Sequence, residues 1–197
     1  MCRIRRVVLA ITGASGAAIG LRIAEILHEC AIETHLVISS AGERTITHEI
    51  GPDGSDRIGA CVSYRHLNDD IGAAIASGSF RTAGMIVAPC SMRALGAIAA
   101  CTTTDLITRA ADVHLKERRR LVLLARESPL HLGHLRAMAA ATEFGAIIAP
   151  PVPAFYLRPV DIAGMVDQIA RRAIELLRID RMDIATEWMG EQHGEAP

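Results

Sequence analysis

Short unbroken apolar runs alternate along this chain with longer stretches in which apolar residues return every three or four positions. Residues 7–11 form such a run, rich in β-branched side chains, and read as a buried strand. Residues 34–38, 85–88, 121–125 and 146–149 repeat that pattern, and 61–64 repeat it more weakly. Between them, residues 17–30 place Ile19, Ile23, Ile26 and Leu27 on one helical face. Helices are also predicted over 41–50, 71–76, 105–118, 130–144 and 161–177. A further helix runs to residue 100, with Ser91 placed to cap it. Gly51-Pro52-Asp53-Gly54 reads as a turn, and Pro150, Pro151, Pro153 and Pro159 punctuate a loop. Strands alternating with helices imply right-handed βαβ units and a parallel sheet covered on both faces. No internal repeat or interdomain linker breaks the pattern, so residues 1–180 are expected to form a single domain. Residues 181–197 form a polar tail, expected to dock on its own or a neighbouring subunit.

Composition narrows the class. At 197 residues the chain suits one domain able to bury roughly 70% of its unfolded surface. Half of it is hydrophobic but only 3% is aromatic, with 16 glycines. That favours closely packed helices on a sheet and argues against an aromatic platform for single-stranded nucleic acid. Lys plus Arg number 21 against 22 acidic residues, so the basic excess of a non-specific nucleic-acid binder is missing. Such hydrophobicity excludes intrinsic disorder over most of the chain. The five cysteines, Cys2, Cys30, Cys61, Cys90 and Cys101, are odd in number and form no CxxC pair. A reducing cytoplasm is therefore expected rather than a secreted disulfide framework. Arg3, Arg5 and Arg6 before an apolar run resemble a signal peptide, but the run breaks at Thr12-Gly13-Ala14-Ser15-Gly16, as a strand meeting a glycine loop does. No stretch reaches the roughly 18 apolar residues of a membrane span.

In parallel α/β sheets, ligands sit beyond the carboxyl ends of the strands, so the residues there carry the functional information. After the first strand, Gly13, Gly16 and Gly20 match neither GxGxxG nor the GxxxGxG of short-chain dehydrogenases. The Tyr-x-x-x-Lys pair of those enzymes is absent as well, because Asn68 follows Tyr64 and Val160 follows Tyr156. The loop reads either as an anion or nucleotide site at a helix N-terminus or as a plain tight turn. Ser39 and Ser40 follow the second strand. Pro89-Cys90-Ser91-Met92-Arg93 closes a later one, where Ser91 is a helix cap or a ligand contact. Arg126, at the start of Arg126-Glu127-Ser128-Pro129, is expected to face the ligand crevice. The segment from Pro150 to Tyr156 is a candidate lid or a rigid connector. His131 and His134 have no carboxylate or cysteine at metal-ligand spacing, so no metal is expected there. Cys90 has no activating base in view. By itself, the charge run from Lys116 to Arg120 reads as a solvated helix end.

Four segments in order, ITGASGAAIGLR, APCSMRALGAIA, LITRAADVHLKERRRLVLLARESPLHLGHL and PPVPAFYLRP, resemble the UbiX-type flavin prenyltransferases, formerly grouped as phenylacrylic acid decarboxylases. The resemblance spans residues 4 to 180. It implies a Rossmann-like three-layer α/β/α sandwich that binds FMN, assembled as dodecamers with active sites where subunits meet. It implies transfer of a dimethylallyl group from dimethylallyl phosphate to N5 and C6 of reduced FMN. The product, prenylated FMN, serves UbiD-type decarboxylases. The FMN contacts it implies are Gly13, Ala14, Ser15, Ser39, Ser91, Met92, Arg93, Ala94 and Arg126. The donor phosphate would meet Lys116, Arg126, Tyr156 and Arg172, and the catalytic groups would be Ser15, Glu49, Lys116 and Glu127, without a metal. Lys116 thereby moves from a solvated charge run to a functional position. Trp188 could stabilise an allylic cation if the tail docks there. Ser40 stands where many members carry Lys, and residues 52–80 match least.

Two other functions fit the same fold. A flavin-dependent cysteine decarboxylase of the phosphopantothenoylcysteine type would carry a catalytic His and a Pro-x-Met-Asn clamp, and no such clamp occurs here. A non-catalytic FMN-binding accessory subunit would not need Lys116, Arg126, Tyr156 and Arg172 together.

Overall fold

Strand and helix alternate through the whole domain of this computed structural model, which describes residues 5–179 and 184–186. In chain order the elements are β1 (Arg6–Ile11), α1 (Ala17–Glu29), β2 (Glu33–Ile38), α2 (Ser40–Glu49), α3 (Gly54–Ala60) and β3 (Tyr64–His66). Then come β4 (Gly84–Cys90), α4 (Met92–Ala99), α5 (Leu106–Lys116), β5 (Arg120–Ala125), α6 (Leu132–Glu143), β6 (Ile147–Ile148) and α7 (Ile162–Glu175). The six strands form one sheet in the order β3-β2-β1-β4-β5-β6, and every pairing is parallel. The order reverses between β1 and β4, which places the crevice of a doubly wound sheet at their carboxyl ends.

Side-chain alternation splits the core in two. Val7, Leu9 and Ile11 of β1 point toward α1 and α7, whereas Val8 and Ala10 point toward α4 and α5. All five are fully or nearly fully buried, as the unbroken apolar run requires of a strand covered on both faces.

The expected architecture holds, and the differences lie at short elements. Residues 71–76 were expected to be helical but form only a 3-10 turn at Ala74–Ala76. The weak strand expected at 61–64 lies later, as β3. The Gly51-Pro52-Asp53-Gly54 turn leads straight into α3, a helix with poor intrinsic propensity. Tertiary packing supplies what propensity lacks: Ile58 is fully buried, and Gly54 lies so close to α2 that an added Cβ would sit 2.6 Å from Ile46 Cγ2. Among the described residues, no helix is long and apolar enough to cross a membrane.

Gly20 sets the distance between α1 and the sheet. A Cβ there would meet the Ala88 carbonyl oxygen of β4 at 2.6 Å and Ile11 Cδ1 at 2.9 Å. The obstructing carbonyl is strand backbone and cannot rotate away. Gly20→Ala is therefore expected to cost about 1–3 kcal/mol through overpacking, despite the better helix propensity of Ala. Chemical denaturation would show the loss; equal or higher stability would contradict this packing.

Candidate active site

Three hydrogen-bonded links tie four strand ends into one rim. The Ser39 N–H after β2 donates to the Ile11 carbonyl of β1 at 3.0 Å. Thr12, 3% exposed, donates its hydroxyl to the Pro89 carbonyl at 2.8 Å and accepts from the Ser91 N–H at 2.8 Å. The Arg126 N–H after β5 donates to the Cys90 carbonyl at 3.1 Å.

Behind this rim, on the α4 and α5 side of the sheet, lies a cleft of about 220 Å³ lined by Thr12, Gly13, Ser39, Ser91, Arg93 and Thr108, among others. Three helices start at it, each with a side-chain cap. Ser39 Oγ accepts from the Gly42 N–H at 3.0 Å, Ser91 Oγ from the Ala94 N–H at 3.3 Å, and Asp105 Oδ1 from the Thr108 N–H at 2.9 Å. Each capping serine keeps its hydroxyl hydrogen for a ligand. The positive ends of α2 and α4 favour an anion at the same place, whereas the end of α5 is already met by the Asp105 carboxylate. Arg93 stands exposed at the mouth, beside half-buried Met92 and ahead of buried Ala94. Hydroxyl donors, helix N-termini and a free-standing guanidinium suit a phosphorylated polyol, so the residues fit FMN.

The glycine loop works differently from the anion site considered for it. The Gly16 and Ala17 N–H groups at the start of α1 donate to Glu49 Oε2, at 2.9 and 2.8 Å. A protein carboxylate thus occupies the position a phosphate would take. Gly16 turns the chain at φ 114°, a conformation that favours glycine. Gly13 lies so close to α2 that an added Cβ would be 2.5 Å from Ala41 Cβ. Partial burial works to raise the Glu49 pKa. The Ser15 hydroxyl, the two backbone N–H groups and the charge of Arg126 outweigh it and hold the carboxyl below its usual range. Ser15, Glu49 and Arg126 therefore form one electrostatically coupled group at the rim.

The remaining expected site residues are dispersed. Glu127 lies on the same edge, where its carboxylate accepts from the Ser128 N–H at 3.0 Å. Lys116 ends α5, beyond the opposite end of β5; six strand residues separate the two edges by about 20 Å. There its Nζ donates to Glu117 Oε1 at 2.7 Å. Tyr156 and Arg172 line a second cavity of about 600 Å³ on the α7 side of the sheet, sharing no lining residue with the cleft. Trp188 lies outside the described residues. His131 caps α6, its Nδ1 accepting from the Gly133 and His134 N–H groups, and the two imidazole rings lie 3.5 Å apart.

Sequence reasoning did not single out Thr12, Thr104, Asp105 or Thr108, which line the cleft or tie its rim. The D-x-x-T capping box at Asp105 was a readable signal for the start of α5. That this helix end faces the ligand crevice was not readable from it.

A parallel sheet with three capped helix N-termini gathered at its switch point defines a flavin- or nucleotide-binding α/β protein. The sequence matches the Flavoprotein family over residues 1–155. It is 48% identical over 190 residues to flavin prenyltransferase UbiX of Thauera aromatica, covering 96% of this chain and 97% of that protein. Identity to flavin prenyltransferase UbiX of Escherichia coli K12 is 47% over 189 residues, covering 94% and 99%. The chain belongs to the UbiX flavin prenyltransferase family. Its fold superposes with a TM-score of 0.91 on the crystal structure of AnUbiX (PadA1) in complex with FMN and dimethylallyl pyrophosphate, at 46% identity over 96% of this chain and all of that one. A dodecameric FMN-dependent UbiX-like decarboxylase from Escherichia coli O157:H7 gives 0.88 at 40% identity, covering 94% of this chain and all of that one. An FMN-dependent cysteine decarboxylase, TvaF, at 15% identity and a TM-score of 0.65, shares the fold alone.

Glu49→Ala is expected to destabilise the protein at neutral pH by about 0.5–2 kcal/mol, near the lower end because the side chain is exposed. The Glu49 pKa is lowered in the folded state, so its contribution is full above the ordinary value of 4.5 and fades as the pH falls through the lowered one. Denaturation of both proteins at neutral pH and again in acid should show a gap that narrows in acid. A gap that widens would contradict the capping role.

Proposed function

We propose that this protein is a flavin prenyltransferase: it transfers the dimethylallyl group of dimethylallyl phosphate to N5 and C6 of reduced FMN, yielding prenylated FMN for a UbiD-type decarboxylase. The observation that carries the reading is the cleft at the switch point, where two serine hydroxyls, the starts of α2 and α4 and Arg93 suit FMN, with the Glu49 carboxylate held at the start of α1 on the same edge. A cysteine decarboxylase would need a clamp that this sequence lacks. A flavin-storing accessory subunit would have no use for Lys116, Arg126, Tyr156 and Arg172 together.

In this reading Gly13, Ala14, Ser39, Ser91, Met92, Arg93 and Ala94 hold FMN, with Ser15 and Arg126 at its reacting end. Reduced FMN, when bound, supplies the nucleophilic N5 and C6. Breaking the allylic C–O bond releases phosphate, whose growing negative charge is held by Lys116, Arg126, Tyr156 and Arg172 through preorganised electrostatics. Glu49, kept ionised and bonded to Ser15, accepts a proton released as the new bonds form. Glu127 follows Arg126 in the chain and is the remaining catalytic group of this reading, on the same edge of the sheet.

One chain does not bring these groups together, so the site we assign is shared between subunits of a homo-oligomer, a dodecamer by analogy with the UbiX-like relative. Exposed apolar side chains on the loop before α7 and at its first residue support this assembly: Val160 is 96% exposed, Ile162 78%, Val152 71% and Phe155 69%. Surfaces of that kind mark protein–protein contact. The domain spans residues 1–180 in this reading. The reading of residues 181–197 as a docked tail is supported by Ile184, Ala185 and Thr186, which line the α7 cavity. The compartment is the cytoplasm, in keeping with the odd cysteine number and the free thiols of Cys30, Cys61, Cys90 and Cys101.

Anaerobic incubation with reduced FMN and dimethylallyl phosphate is expected to yield a flavin heavier by one C5 unit on mass spectrometry. Unmodified FMN, still tightly bound, would favour the accessory subunit instead. Lys116→Ala and Arg172→Ala should each lower turnover about 10²–10³-fold with FMN affinity retained. Loss of flavin from either variant would mean that these residues belong to another pocket.

A further inference from the structure

Asp167 of α7 has no part in the reaction just described, yet it ties α7 to α1, the helix that follows the glycine loop. Its Oδ1 accepts from Arg22 Nε of α1 at 2.8 Å, and its Oδ2 accepts from Arg171 Nε at 2.6 Å. Arg22 is also bonded to Glu25 and Glu29 on its own helix, at 3.0 and 2.9 Å, which fixes the direction of its guanidinium. Arg171 in turn donates through Nη1 to the Ile184 carbonyl at 3.4 Å, reaching the segment beyond α7. Asp167, Arg171, Arg172, Tyr156 and Ile184 all line the 600 Å³ cavity.

The placement of the carboxylate matters as much as its bonds. Ala170, Ala173 and Ile174 form the buried stripe of α7, and Asp167 extends it by one turn toward the carboxyl edge of the sheet. The far end of α7 is held by buried Ile174 and by Arg120 Nη1, which donates to the Leu176 carbonyl at 3.3 Å, so the end nearer the ligand edge is the one Asp167 fixes. A carboxylate gripping one arginine from each helix is directional. Partial burial raises the Asp167 pKa, but the hydrogen bonds and charges of Arg171 and Arg22 outweigh it and keep the group ionised.

We infer that Asp167 is a positioning residue: through Arg22 it locks the rotation of α7 against the helix that follows the glycine loop, and so sets where Arg172 meets the donor phosphate. This inference rests on the function proposed above for Arg172.

The test compares Asp167→Asn, Asp167→Glu and Arg22→Gln in the full-length assembly. Hydrogen exchange of the α7 amides reads the lock itself, independent of turnover. Both Asp167→Asn and Arg22→Gln should speed exchange over α7 while leaving β1 and β4 protected. In steady state Asp167→Asn should raise KM for dimethylallyl phosphate about tenfold, with a much smaller change in kcat, FMN affinity retained and partial rescue by Asp167→Glu. Unchanged α7 exchange would overturn the lock. Faster exchange with unchanged KM would overturn its role in positioning. If wild-type protein leaves FMN unmodified, the proposed function and the donor-positioning half of this inference both fall, while the exchange result still decides the lock.

Discussion

One hydroxyl holds the ligand edge in register. Thr12 Oγ1 donates to Pro89 and accepts from Ser91, bridging the two strand ends at which the sheet reverses order. A parallel sheet leaves its carboxyl-end loops free of ladder bonds, so their relative position has to be fixed separately. Buried as it is, Thr12 fixes it without competition from water. The backbone bonds from Ser39 to Ile11 and from Arg126 to Cys90 extend the link to the neighbouring strands. The caps of α2 and α4 follow directly, because Ser39 and Ser91 are themselves members of this bonded rim.

Charge is divided unequally along that rim. At α1 the helix end is already matched by Glu49, so the glycine loop presents no vacant anion cradle. At α2 and α4 the caps are neutral hydroxyls, and more of the helix-end field is left for a ligand, whereas at α5 the Asp105 carboxylate already meets the helix end. The rim therefore carries an ionised carboxylate at α1, and the cleft behind it two helix ends whose caps bring no charge of their own.

The long elements could be read from the sequence because periodicity and caps agree there. Helices α4, α5 and α7 carry both signals, α1 carries the apolar period behind a glycine turn, and strands β1, β2, β4 and β5 are unbroken apolar runs. The short ones could not. β3 and β6 exist through pairing with longer neighbours, and α3 through the burial of Ile58 against α2. At the site, the strand-end rule pointed to Ser39, Ser91, Arg93 and Arg126, and the cleft and rim gather them. The roles of Gly13 and Gly20 were not legible, since a sequence shows a missing side chain but not what presses into its place. Nor did local pattern place Lys116 on the far edge or Arg172 across the sheet; those positions follow from where α5 and α7 end.

Gly20 has a consequence for how this scaffold can vary. Because α1 touches the main chain of β4 at Gly20, no side chain separates helix and strand at that point. The loop ahead of the helix inherits the stiffness of the sheet and cannot be shifted by repacking a neighbour. A new ligand preference must then be written in groups that overhang the rim, such as Arg93, or borrowed from an adjoining molecule.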